Sequence, residues 1–134
     1  MSPMPTYDTV AGVPTRGSTY ALLLDTLNLL IDDTKLIANP ATPVGDIYPR
    51  ILAHCDAIIS SAALIVHLHR TEDSPRDRAL ADGWLAISHT FQLVRNGFTS
   101  FTSTLAPPQA WADMLTQLNL IKHRITALAR GTMQ

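Results

Sequence analysis

Few side chains in this 134-residue chain could do chemistry: one cysteine, Cys55, five histidines (His54, His67, His69, His89 and His123) and a single glutamate, Glu72. A zinc site needs clustered cysteine and histidine. His67 and His69 stand two apart, about 200° around a helix, so they cannot share one ion. A site gathering His54, His89 and His123 would need three helices to converge, and scattered surface histidines are the expectation. Di-iron bundles need several inward glutamates, which one glutamate cannot supply. Cys55 has His54 beside it in sequence, but on a helix the two point about 100° apart. Cys55 also falls on an apolar seam, so it reads as a small buried hydrophobe and not a nucleophile. Six glycines leave no glycine-rich phosphate loop and no G-x-S-x-G elbow. The expectation is a non-enzyme with no catalytic residue, no metal and no cofactor.

The best enzyme-like alternative is histidine phosphotransfer, which needs an exposed imidazole in mid-helix on a bundle. His89 lies opposite the apolar seam of its helix, with Asp82, Gln92 and Asn96 on the same outer surface. The stretch Ile87-Ser88-His89-Thr90-Phe91 resembles, over five residues, the phospho-acceptor box of sensor kinases. Thr90 stands where an acidic residue usually follows the histidine. The His-x-x-Lys-Gly pattern of phosphotransfer domains is absent, since His54 is followed by Cys-Asp-Ala-Ile. The resemblance implies His89 as phospho-acceptor.

The elements that must hold these residues are helices. Tyr20, Leu23, Leu27, Leu30, Thr34 and Ile37 repeat at steps of three and four, the seam of a bundle helix. The first helix is expected over 19–38 with Ser18 as its cap, ending at Asn39-Pro40. Ile51, Cys55, Ile58, Ala62, Ile65 and His69 mark a second over 47–70, capped by Asp46, with Pro49 tolerated in its first turn. Ser74-Pro75 starts a third over 75–105, with Asp77 in the dipole-favoured first turn. Its seam of Leu80, Trp84, Ile87, Phe91, Val94, Phe98, Phe101 and Leu105 runs in phase through Asn96-Gly97, which predicts a kink at most. Trp111, Met114, Leu118, Ile121, Ile125 and Leu128 mark a fourth over 108–130, with Gly131 as C-terminal cap. Residues 1–17 hold Pro3, Pro5, Pro14, Gly12 and Gly17 and read as a flexible arm. The fold class expected is all-α: an antiparallel, up-down-up-down four-helix bundle over 18–131.

Composition narrows the partners. The net charge is −1, so nothing steers the chain toward nucleic acid or acidic lipid. Charged residues make up 16% of the chain, below the roughly 25% of an average domain, so the surface leans on small and uncharged polar residues. One cysteine cannot form an internal disulfide, the first 18 residues lack a signal-peptide pattern, and the apolar run 57–68 is interrupted by Ser60, Ser61 and His67. A cytoplasmic protein, bound to neither membrane nor nucleic acid, is expected.

Two helix faces carry more apolar surface than one seam requires. Leu22, Leu29 and Leu36 recur every seven residues, about 130° from the core seam of the first helix. On the second, Ala53, Ala57 and Ser61 step by four, with Ser60 beside them, a pattern that lets another helix approach closely. These residues are the expected partner-binding surface. The function expected is a protein-interaction module, an adaptor, inhibitor, assembly chaperone or structural subunit, working as a homodimer or with another protein.

Overall fold

The computed structural model describes residues 9–10, 13–38, 45, 47–104 and 107–132. It contains a two-residue antiparallel strand pair, β1 (Thr9–Val10) and β2 (Val13–Pro14), then four helices: α1 (Arg16–Ala38), α2 (Tyr48–Arg70), α3 (Pro75–Thr104) and α4 (Pro108–Thr132). The strand pair lies where the sequence suggests only an arm. Val10 pairs with Val13 and Thr9 with Pro14, just ahead of α1.

Helix starts follow their local hydrogen bonds. α1 begins three residues before its expected start, because Thr15 and not Ser18 is its cap. The Thr15 N–H donates to Ser18 Oγ (3.0 Å) and the Ser18 N–H donates to Thr15 Oγ1 (3.1 Å), a reciprocal box that leaves Ser18 inside the first turn. Ser74 caps α3 as expected. The Asp77 N–H donates to Ser74 Oγ (3.0 Å), and the Ser74 hydroxyl donates to Asp77 Oδ2 (2.5 Å). Asp73, just before, takes φ 52°, a left-handed conformation that aspartate tolerates better than most residues. α2 starts after Ile47, which makes no side-chain cap, with Pro49 in the first turn. Asp46, the expected cap, lies outside the described residues, as do Asn39-Pro40 and Leu105.

α3 runs unbroken through Asn96-Gly97. α4 does not stop at Gly131 but continues to Thr132. The reason is tertiary. Gly131 packs where a Cβ would come within 2.8 Å of Leu80 Cδ2, its carbonyl accepts from the Arg76 guanidinium, and Thr132 is held by buried side chains.

The helices form a closed ring in which each packs on its chain neighbours and α4 returns to α1. Side-chain pairs fix the directions. Arg16 meets His69 and Asp33 meets Arg50 and His54, so α1 and α2 are antiparallel. Asp56 beside Arg95 and His69 beside Asp77 do the same for α2 and α3. Leu128 against Gly83 and Met114 against Gly97 set α4 antiparallel to α3. The arrangement is up-down-up-down.

The seams read from sequence build the core. Leu23, Leu27, Leu30, Ile51, Ile58, Ile65, Trp84, Ile87, Phe91, Phe98, Leu118 and Ile125 are fully buried. Each such side chain contributes about 1.5–3 kcal/mol relative to exposure. The end formed by the close of α3 and the start of α4 is aromatic: Trp111 lies 5.0 Å from Phe101 and 5.7 Å from Phe98, centroid to centroid. Thr34, on the α1 seam, is buried without cost to its hydroxyl, which donates to the Leu30 carbonyl (2.7 Å).

Candidate functional site

The expected partner surface can be placed residue by residue. Leu22, Leu29 and Leu36 are 48, 54 and 47% exposed, although the bundle is closed. Ala53, Ala57 and Ser60 are exposed as well, whereas Ser61 is buried and faces inward. Ser61 therefore leaves the set: it lies on the edge of α2 turned toward α1, one residue past the outer row. The row itself continues from Ala53, Ala57 and Ser60, by a further step of four, to Leu64, which is half-buried. Leu64 closes the run of small residues with a bulky apolar one.

The structure joins the two faces, which the sequence leaves separate. Asp33 is the key. It is 8% exposed on the edge of α1 toward α2, where it accepts from Arg50 Nη2 (2.7 Å) and lies 3.1 Å from His54 Nε2. The leucine row lies just outward of that edge on α1, and the small-residue row just outward of the matching edge on α2. The register set by Arg16–His69 and Asp33–Arg50 brings Leu22 level with Leu64, Leu29 with Ala57 and Leu36 with Arg50. One continuous outer face results: a ridge of leucines beside a channel of small residues that Leu64 stops at one end. Asp25 and Asp32, both exposed, alternate with the leucines along the ridge.

α2 explains why this face is apolar. It is long and apolar enough to cross a bilayer, the one such helix among the described residues, with a mean hydropathy of 1.8, yet only 33% of that apolar window is buried within the fold. The core uses one side of α2 and leaves the rest outside.

A second constellation escaped the sequence reading. His69, fully buried, sits with Nδ1 2.8 Å from Asp77 Oδ1 and Nε2 3.0 Å from Thr132 Oγ1. The Trp84 indole N–H donates to the same Thr132 oxygen (2.7 Å), and Arg16 Nη1 donates to Asp77 Oδ1 (3.1 Å). One proton arrangement satisfies these four bonds, with Arg16 Nη1, also 3.1 Å from His69 Nδ1, giving its proton to Asp77 and not to the ring. His69 donates from Nδ1 to the carboxylate, Thr132 donates its hydroxyl proton to Nε2, and Trp84 donates to Thr132. The Ser74 hydroxyl first, and then the His69 imidazole, hold the Asp77 carboxyl below its ordinary value. The string runs through all four helices at one end of the bundle. A carboxylate, an imidazole and a hydroxyl in this order also form the catalytic triad of hydrolases. Here the hydroxyl is 3% exposed and already accepts from an indole, so no substrate carbonyl can reach it. The constellation is a clasp. Its sequence signal was His69 itself: a histidine on a core seam must find buried partners.

The remaining chemical residues stay apart. His89 is exposed on the outer face of α3, and His67 and His123 are exposed on α2 and α4. His54 is engaged with Asp33. Among the described residues no three metal-ligating side chains converge. Cys55 is buried, and burial, aided by the Asp56 carboxylate, pushes its thiol up to about 12. A 310 Å³ surface depression at the α2–α3 turn is lined by Arg70, Asp73, Arg78, Ala81 and Asp82, with Arg78 paired to Asp73 at 2.9 Å. Comparison with family models, with curated proteins and with solved structures finds no match to this chain.

Proposed function

We propose that this chain is a non-enzymatic protein-interaction module that works by burying the outer α1–α2 face. The roles that fit are adaptor, inhibitor, assembly chaperone and structural subunit, acting in the cytoplasm, where a lone thiol stays reduced. The observation that carries the reading is the exposure of Leu22, Leu29 and Leu36, about half each and in one row on α1, whereas the other exposed leucines, Leu93 and Leu120, stand on two different helices. Contiguous apolar surface of this kind marks binding sites on soluble proteins. Its burial is worth roughly 25 cal/mol per Å² before association costs. The small residues of α2 support the reading, because they let a partner's backbone come close.

The test is Leu29→Asp. Association, measured as protein retained by the immobilised chain from a host extract (its own copies included), should be lost. Helical content should persist, with stability within about 0.5 kcal/mol of the parent, as for an ordinary surface change. A variant that unfolds would return the leucines to the core, and one that retains every protein the parent does would remove the face from function.

A further inference from the structure

The partner that fits the α1–α2 face best is a second copy of the face itself, an inference that rests on the interaction reading above. The ridge of Leu22, Leu29 and Leu36 and the channel of Ala53, Ala57 and Ser60 lie side by side on one surface. We propose that two chains pair about a two-fold axis parallel to the helices and running between α1 and α2, so that the leucine ridge of each chain lies along the channel row of the other.

Three observations select this arrangement. The first is shape. A two-fold interface must be self-complementary, and a ridge next to a channel becomes so when the axis runs between them. Such an axis keeps every residue at its own height along the bundle. Leu29, the middle of the ridge, then comes over the second Ala57, with the second Ala53 and Ser60 on either side. Leu22 meets the second Leu64, where the channel ends, and the contact there is apolar on apolar. The second observation is charge. Asp25 and Asp32 alternate with the leucines, while the channel side of α2 carries Arg50, and the Asp56 carboxylate is turned away to Arg95. Laying α1 on its own copy would set the Asp25 and Asp32 rows against each other, which is repulsive. Laying α1 on the other chain's α2 brings Asp32 within a turn of the second Arg50, whose side chain is 53% exposed, and Asp25 level with the second Ser60. The third is area. Two helices of 23 residues span about 34 Å, and at the usual 8–10 Å separation they present roughly 650 Å². A pair would bury about 1,300 Å² in total, within the range of stable specific interfaces.

Two measurements on the purified 134-residue chain test the proposal. Light scattering should give twice the 14.6 kDa chain mass, falling to the single mass in Leu29→Asp. Mixing a Leu29→Cys chain with an Ala57→Cys chain under mild oxidation should then give a disulfide between the two different variants, because these positions face each other across the axis. Native Cys55 is buried and does not compete. A Leu29→Cys chain that links mainly to itself would overturn the geometry in favour of α1 on α1. A parent chain at the single mass would overturn self-pairing altogether. If Leu29→Asp still sheds a different protein in that last case, this inference falls and the interaction reading stands. If it sheds nothing, both fall.

Discussion

Thr132 is a small residue with a large share of the polar accounting. Its hydroxyl serves Trp84 and His69 together, and both of those are fully buried. Thr132→Val keeps the shape and removes both partners, leaving an indole N–H and an imidazole nitrogen unsatisfied. Denaturant unfolding should show a loss of about 1–3 kcal/mol, the cost of stranding buried polar groups. Thr132→Ser should recover most of it. A valine variant as stable as the parent would mean that the hydroxyl contributes nothing. The histidines show what a sequence can and cannot reveal at this scale. Position on the seam was enough to place His69 inside and His89 outside. The partners of His69 come from residues 8 and 63 positions away, and spacing along one helix carries no information about them.

At the scale of the element, the helices were legible because their apolar steps of three and four never break. The errors lie at the ends. Thr15 displaced Ser18 as a cap because both hydroxyls can accept from a backbone N–H, and the sequence does not rank them. Gly131 reads as a helix terminator, yet here it is a point of close packing. The α3–α4 seam uses glycine three times in this way: Gly83 against Leu128, Gly97 against Met114 and Gly131 against Leu80. A Cβ on Gly83 would come within 2.5 Å of Leu128 Cδ2. Gly83→Val should therefore overpack the seam and cost about 1–3 kcal/mol in denaturant unfolding. Adding Leu128→Ala should relieve the clash, so that the double variant is less impaired than the two single effects added. Simple additivity would show that the helices part freely at that point.

For the whole molecule, the ring of four antiparallel helices follows from four seams and short connections. The joining of the two surplus faces into one surface does not. It depends on the height at which α1 sits against α2, which the Asp33–Arg50 and Arg16–His69 pairs set and no single-helix pattern encodes. The clasp also couples the assembled bundle to acid. The folded Asp77 carboxyl lies below its ordinary 3.8, so its contribution is complete above that value and drains away as pH falls through the lower, folded one. Urea midpoints should fall through this acid range, and Asp77→Asn should flatten that part of the decline. An identical acid profile in the variant would place the sensitivity elsewhere. The clasp has one more consequence, for the choice among competing threadings. Grease is indifferent to direction: α4 turned end for end would still offer Trp111, Leu118 and Ile125 to the interior. It would carry Thr132 to the aromatic end, about 36 Å along the rod, and leave the indole N–H and the imidazole Nε2 in a dry place with nobody to bond. The five-residue string thus acts as a key that turns in only one orientation of the fourth rod.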